Sequence, residues 1–160
     1  MEPVLIRPAV PDDYEQAERM MQQVHALHLS WRPDIYKPCA PVLPRPEFLE
    51  AVAGQRLLVA ETGGKAAGIL LYLHRHIESE NQVTREVLFI ETLAIDAGYR
   101  GRGIGRQLLQ AAAQIAREKG YDGVELQVNA KNTDAYAFYK KYGFTEKSIN
   151  MELPGFSSGR

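Results

Sequence analysis

Three glycines at alternate positions stand in a basic segment between an apolar run and a helical pattern. The apolar run is Val87 to Ile95, and the segment reads Arg100-Gly101-Arg102-Gly103-Ile104-Gly105-Arg106. Glycine lets the backbone turn tightly and approach a ligand closely, because it has no side chain to clash. A helix that begins directly afterwards offers free N–H groups and the positive end of its dipole to a negative charge. The spacing therefore predicts a binding site for phosphate groups.

Two familiar nucleotide-binding patterns fail on residue identity in this segment. A dinucleotide fingerprint that begins at Gly101 and Gly103 requires a small third residue at position 106, where this chain has Arg106. A triphosphate-binding loop requires Lys and then Ser or Thr after its last glycine, but Gly105 is followed by Arg106 and Gln107. The segment thus favours neither cofactor.

Length and composition limit the classes to which the protein can belong. A chain of 160 residues suits one domain, which we place at residues 1–154 with a flexible tail at 155–160. The chain has 45% apolar residues and a net charge of −1. It contains no run of basic residues that would favour nucleic acid or membranes as partners. The N-terminus does not have the pattern of a signal peptide. The single cysteine, Cys39, lies between Pro38 and Ala40 and fits a bystander thiol in a reducing compartment. A cytoplasmic protein is expected.

Hydrophobic periodicity gives the order of the elements that must position the glycine segment. Strands are predicted at 4–9, 56–60, 67–76, 87–95, 124–128 and 144–153, with a polar turn at 78–85. Helices are predicted at 11–27, 47–52, 104–119 and 132–142, and five prolines make 31–46 a long loop. An antiparallel front half followed by two strand–helix units predicts a mixed sheet covered by helices.

Two motifs of the sequence resemble motifs of one protein family. The pattern Arg/Gln-x-x-Gly-x-Gly/Ala is filled by Arg100, Gly103 and Gly105, and it resembles the acyl-CoA motif of the GCN5-related N-acetyltransferases (GNAT superfamily). Residues 132–144, which read NTDAYAFYKKYGF, are similar to the family's Asn-x-x-Ala-x-x-Phe/Leu-Tyr-x-x-x-Gly-Phe segment. The resemblance implies an α/β fold of mixed α+β character. It has a central, mostly antiparallel mixed sheet of 6–7 strands and about four flanking helices, and the sheet splays at the strand before the glycine motif.

The resemblance also implies an activity. We expect transfer of an acetyl group from acetyl-CoA, as co-substrate and without a metal, to a primary amine of a small molecule by direct attack in a ternary complex. A protein or peptide amino-group acetyltransferase and a non-catalytic acyl-CoA-binding module are the alternatives. The residues implied to bind the donor are Leu93, Ala94 and Ile95 for the pantetheine arm, Arg100, Gly101, Arg102, Gly103, Ile104, Gly105 and Arg106 for the pyrophosphate, and Asn132, Ala135 and Phe138 on the last helix.

Two side chains are the catalytic candidates. An alkyl amine with a pKa of about 10.4 arrives protonated at neutral pH and must lose a proton before it attacks. Glu91 interrupts an apolar strand, and burial there would raise the pKa of its carboxyl group toward the range useful for a general base. Tyr139 stands at the family's tyrosine position, where the phenol protonates the departing thiolate or holds its sulfur, and a backbone N–H near Leu93 or Ala94 would stabilise the oxyanion.

In this family the acceptor lies between the first helices, their loop and the final strand. That placement implies five acceptor-binding candidates: His25, His28, Trp31, Asp34 and Tyr36. His25 and His28 share a helical face, but no third residue has the spacing of a metal ligand. Residues 145–153 have room for one strand where many relatives have two, so the pocket is either more open or completed by a second subunit. A homodimer is therefore an expectation that light scattering can test.

Overall fold

The computed structural model of the chain describes residues 2–156, and in that range five strands form one sheet. The strands are β1 (Leu5–Pro8), β2 (Leu57–Thr62), β3 (Lys65–Ser79), β4 (Gln82–Ile95) and β5 (Gly123–Leu126), in spatial order β1-β2-β3-β4-β5. The first four pair antiparallel, and β5 runs parallel to β4. The α-helices are α1 (Tyr14–Trp31), α2 (Arg45–Ala53), α3 (Ile104–Glu118) and α4 (Thr133–Tyr142).

The predicted fold class is confirmed, because helices flank a mostly antiparallel mixed sheet. The chain divides into two compact units, one up to Gln127 and the other from Val128. The first unit contains the sheet with α1, α2 and α3, and the second contains α4. The single domain at 1–154 stays a prediction, and residues 157–160 of the expected flexible tail lie outside the described residues.

Two predicted segments are wrong. The polar stretch 78–85 is not a long turn, because β3 and β4 continue through it and pair as far as Ser79 with Gln82. These residues are mostly exposed and form a two-stranded ribbon, so the one-sided apolar alternation by which a strand is recognised is missing. The strand expected at 144–153 is not formed in the structure, and the sheet has five strands where six to seven were expected. Ile149, Met151 and Leu153 stand at alternate positions, as the apolar residues of a strand do, but all three are exposed.

The sheet of the first unit is covered on both faces. On one face Tyr14, Ala17 and Met20 of α1 and Phe48 of α2 join a buried cluster with apolar residues of β2 and β3. On the opposite face the buried residues Ile104 and Leu108 of α3 lie over Gly68 of β3. None of the helices within residues 2–156 is long and apolar enough to cross a membrane.

Gly68 lets the start of α3 approach the sheet closely. A Cβ atom at this position would lie 2.9 Å from Ile95 Cδ1 and 3.1 Å from both Ile104 Cγ2 and Leu108 Cδ1. Overpacking of a core costs about 1–3 kcal/mol, so we expect Gly68→Ala to lower the free energy of unfolding by about that amount, measured by urea denaturation. Gly123→Ala is the control, because the nearest atom to its Cβ would be Arg85 Nη2 at 3.9 Å. Equal stability of the two variants would contradict the prediction.

Candidate functional site

The glycine segment forms an open loop at the start of α3. Gly101 and Gly103 have φ angles of +76° and +78°, the left-handed region that favours glycine. A Cβ atom at either position would meet no atom within 4 Å, so the backbone here borders open space. Gly103 is the N-cap of α3 and supplies no side-chain cap. Because first-turn N–H groups lack intrahelical acceptors, they remain available to an anion. We call residues 100–103 the glycine loop.

Basic side chains surround the glycine loop. Arg100 is exposed and its Nε donates to the Ile95 carbonyl oxygen at 3.4 Å. The guanidinium of Arg102, also exposed, lies 5.2 Å from the centroid of the Tyr99 ring. Arg106 is exposed in the first turn of α3. The loop therefore combines backbone N–H groups with positive charge, which suits a phosphate.

The predicted splay lies on the edge of β4 that faces β5. The parallel ladder ends at the pair Ile90 and Leu126. On the other edge Ala94 pairs with Ile69, and the Asp96 N–H donates to the Ala67 carbonyl at 2.9 Å. Because backbone groups of successive strand residues point to opposite edges, those of Leu93 and Ile95 point to the edge that β5 has left. Ala94 directs its backbone groups to β3, so its N–H is not placed to serve as the expected oxyanion donor.

Glu91 is the extra residue of a β-bulge. In the β3–β4 register, Leu71 pairs with Thr92 and Tyr72 pairs with Ile90, which leaves Glu91 without a partner in the ladder. Its side chain is exposed, so the expectation of a buried carboxyl group is wrong. The alternation expected from an unbroken apolar strand does not hold across a bulge, which changes the direction of a side chain. Bulges are common beside active sites, and this one lies next to the open edge of β4.

The second unit contains Asn132, Ala135, Phe138 and Tyr139. Asn132 caps α4, since its Oδ1 accepts from the Ala135 N–H at 3.1 Å. The Tyr139 ring lies 5.4 Å from Phe138 and 5.6 Å from Phe144, centroid to centroid. Burial raises the pKa of the Tyr139 hydroxyl to about 12. This phenol therefore stays protonated throughout the neutral range and can act as a proton donor.

Four of the five acceptor candidates form one cluster of rings at the end of α1. His28 stacks on Tyr36 with centroids 5.0 Å apart, Trp31 packs edgewise on His28 at 5.7 Å, and His25 packs edgewise on Tyr36 at 6.1 Å. Burial, with a smaller contribution from His25, lowers the pKa of His28, so its imidazole is neutral at pH 7. The exposed Asp34 forms an ion pair with Arg32 at 2.7 Å. We call His25, His28, Trp31 and Tyr36 the aromatic cluster.

A cleft of about 350 Å³ lies between α1 and the proline-rich loop. Of the acceptor candidates only His25 lines it, together with Gln22, Ala26, Leu29, Pro38, Cys39 and Ala40. His25 Nε2 is bound to the Lys37 carbonyl oxygen at 2.6 Å, and Gln22 Nε2 donates to the Cys39 carbonyl at 3.0 Å. These two bonds hold the loop against the helix and thereby shape the cleft.

Two further residues beside the glycine loop were not found by sequence analysis. Gln23 on α1 bonds both to the side chain of Asp96 and to the backbone of Ala97, at the point where β4 ends. The chain separation of 73 residues between Gln23 and Asp96 explains why no local pattern indicated the contact. Across residues 2–156, His, Cys, Asp and Glu side chains form no group of three or more that could hold a metal ion.

Comparison with known proteins identifies related sequences. A family model described as the acetyltransferase (GNAT) family matches residues 21–144. An uncharacterized N-acetyltransferase from Methanocaldococcus jannaschii is 38% identical over 91 residues, which are 57% of this chain and 39% of that protein. An aminoalkylphosphonate N-acetyltransferase from Salmonella typhimurium is 32% identical over 58% of each chain. An alanine N-acetyltransferase of ribosomal protein bS18 from Escherichia coli is 30% identical over 49% of this chain and 53% of its own. These alignments span less than two thirds of the relatives.

Solved structures share the fold over nearly the whole chain. A mutant of a Bacillus halodurans protein superposes with a TM-score of 0.86 at 30% identity, covering 95% of this chain and 99% of that one. An aminoglycoside N-acetyltransferase in complex with CoA superposes with a TM-score of 0.67, covering 98% and 97% of the two chains. At 17% identity, the second likeness shows the fold alone.

Proposed function

The chain belongs to the GNAT acetyltransferase family, and on that premise we propose that it transfers an acetyl group from acetyl-CoA to a primary amine of a small molecule. The amine attacks the thioester directly in a ternary complex. Acetyl-CoA supplies the activated acyl group, and the residues of the chain bind it, orient it and move protons. A non-catalytic acyl-CoA-binding module is the less favoured alternative, because Tyr139 and Glu91 are both present.

The observation that carries this proposal is the open glycine loop next to the open edge of β4. The space where Cβ atoms of Gly101 and Gly103 would stand lets a pyrophosphate approach the backbone. Leu93 and Ile95 offer strand-edge groups to an amide-containing chain, as a neighbouring strand would. A long ligand with a pyrophosphate at one end and amides along its arm fits both features. Among the three residues expected to bind pantetheine, the backbone alternation supports Leu93 and Ile95 over Ala94.

Proton transfers are assigned to two residues. We assign Glu91 as the base, acting directly or through a water molecule, since its exposed position at the bulge leaves it accessible to a bound amine. Tyr139 gives a proton to the departing thiolate. The Leu93 N–H, at the open edge of β4, is the proposed donor to the oxyanion.

The aromatic cluster supports a small acceptor. Four rings at the end of α1 offer an apolar wall, with His28 in the neutral state, to the body of an amine. The matched relatives include an aminoalkylphosphonate N-acetyltransferase and an N-acetyltransferase of a ribosomal protein, so an amino group of a protein is the alternative acceptor. The exposed free thiol of Cys39 fits the cytoplasm as the proposed location. A homodimer that completes the acceptor pocket stays a proposal.

Release of free CoA from acetyl-CoA tests the proposed function. The assay compares monoamines with apolar bodies, polyamines, aminoglycosides, aminoalkylphosphonates, amino acids and peptides. We expect turnover with a small amine and none with peptides. Turnover confined to peptides would favour the alternative acceptor. Binding of CoA without turnover of any amine would favour the non-catalytic module.

Replacement of Glu91 by glutamine tests the base. We expect kcat/KM at pH 7 to fall by about 10²-fold, a typical effect of a general base, with partial recovery as the pH rises. Recovery is expected because an amine with a pKa of about 10.4 loses its own proton in alkaline solution and then needs no base. The measurement is a kcat/KM profile from pH 6 to 10 for both proteins. A variant profile that parallels the wild-type profile would exclude Glu91 as the base.

A further inference from the structure

The side-chain amide of Gln23 connects α1 to the entrance of the glycine loop. Its Nε2 donates to Asp96 Oδ1 at 2.9 Å, and its Oε1 accepts from the Ala97 N–H at 3.1 Å. Asp96 follows the last residue of β4, and Ala97 begins a short 3₁₀ turn that leads to Arg100. One amide therefore uses both its donor and its acceptor to bind two successive residues.

Asp96 is fixed from three directions. Its N–H donates to the Ala67 carbonyl of β3 at 2.9 Å, and its own carbonyl accepts from the Tyr99 N–H at 2.8 Å. Its carboxylate accepts from Gln23 and pairs with Arg19 Nη2 at 3.4 Å. The side chain is only 15% exposed, so the bond from Gln23 is largely shielded from competing water.

The helix that supplies Gln23 is itself firmly held. Ala17 and Met20 are fully buried in the core, and Gln16 accepts from the Ala66 N–H of β3 at 2.9 Å. Gly101 and Gly103 have no side chains to support the loop, and the bond from Arg100 Nε to the Ile95 carbonyl oxygen, at 3.4 Å, lies at its start. A loop with left-handed glycines is flexible unless neighbouring structure fixes its ends.

We propose that Gln23 and Asp96 form a latch that positions the glycine loop for phosphate binding, and that Gln23 is a positioning residue in this enzyme. The latch holds the start of the loop at a fixed place relative to α1 and the end of β4. It thereby aligns the first-turn N–H groups of α3 with the open edge of β4. The pyrophosphate and the pantetheine arm of one acetyl-CoA molecule can then be bound at the same time. The inference rests on the proposed function, since it assumes that the loop binds the pyrophosphate of CoA.

Two glutamines on α1 allow a matched comparison. Gln23→Met removes both latch bonds with little change in volume. Gln16→Met removes one bond between a glutamine and the backbone, but at Ala66 of β3 instead of at Asp96 and Ala97. Both side chains are half-buried, so loss of stability should be similar. We expect only Gln23→Met to weaken CoA binding, by about tenfold in Kd measured by calorimetry, with thermal midpoints of the two variants within a few degrees.

Amide hydrogen exchange of the unliganded protein gives a second readout that does not depend on CoA. We expect Gln23→Met to speed exchange at the N–H groups of Tyr99 and Gln107 by about tenfold or more, and Gln16→Met to leave both unchanged. These two N–H groups are bonded to Asp96 and Gly103 and report the shape of the loop. Unchanged exchange at both would overturn the latch. Wild-type protein that binds no CoA, with faster exchange in Gln23→Met, would overturn the proposed function and retain the latch as a structural device.

Swapping the amide and the carboxylate between positions 23 and 96 tests whether the two side chains act as a pair. Gln23→Glu alone places two carboxylates together and should weaken CoA binding as much as Gln23→Met. Adding Asp96→Asn restores one donor and one acceptor in reversed order, while position 23 still accepts from the Ala97 N–H. We expect the double variant to recover to within about threefold of wild-type Kd. A double variant that binds CoA no better than Gln23→Glu alone would show that the two residues do not act as a pair.

Discussion

A Tyr139→Phe variant is expected to lose about 10²-fold or more in kcat, while its Kd for CoA changes by less than about twofold. Removal of one hydroxyl group leaves the ring and its packing against Phe138 and Phe144 in place, so the fold of the second unit is preserved. Burial raises the pKa of this hydroxyl to about 12, and it therefore carries its proton at every pH used for an assay. What the variant loses is the proton for the departing thiolate. Steady-state rates and calorimetry with CoA separate the two effects.

Tyr136 on the same helix provides the matched control. It is 43% exposed, and Tyr136→Phe removes an identical hydroxyl group from the surface of α4. We expect its kcat and its Kd for CoA to match those of the wild-type protein. An unchanged kcat in Tyr139→Phe would remove this residue from the mechanism. Equal losses in both tyrosine variants would indicate a general disturbance of α4 and contradict the assigned role.

The features that the sequence predicts well are those that local backbone chemistry determines. The alternation of Gly101, Gly103 and Gly105 with a helical pattern after them predicts the open loop, and two of these glycines have the left-handed φ angles that such a turn requires. Asn132 at the start of the predicted helix 132–142 is a residue type that caps helices, and its side chain caps α4 in the structure. In both cases the structural cause lies within a few residues, so one sequence is enough.

The features that the sequence does not reveal depend on distant partners. The exposed position of Glu91 follows from a bulge, and whether a strand carries an extra residue depends on the register of its neighbour. The alternation of Ile149, Met151 and Leu153 suits a strand, yet a strand also needs a neighbour for its backbone groups, which alternation cannot specify. The bond between Gln23 and Asp96 joins residues that only the packing of α1 brings together.

Substitution of Gly103 by valine is expected to weaken CoA binding by at least about tenfold in Kd. The φ angle of +78° costs an L-residue about 1–2 kcal/mol, and more for a β-branched side chain, so the loop would shift to relieve the strain. If the loop keeps its shape instead, the new side chain fills the open space that we assign to the pyrophosphate. Both outcomes impair binding, which calorimetry with CoA measures directly.

Gly103→Asn separates strain from occupied space. Asparagine accepts the left-handed region far more readily than valine, so its loop keeps the native shape, yet its side chain still enters the open space. If asparagine binds CoA much better than valine does, the φ angle is what Gly103 provides. If both bind equally weakly, the open space is what matters, and the pyrophosphate lies against the backbone at this residue. Native affinity in the valine variant would contradict the assignment of the loop, because no phosphate could then be bound at the start of α3.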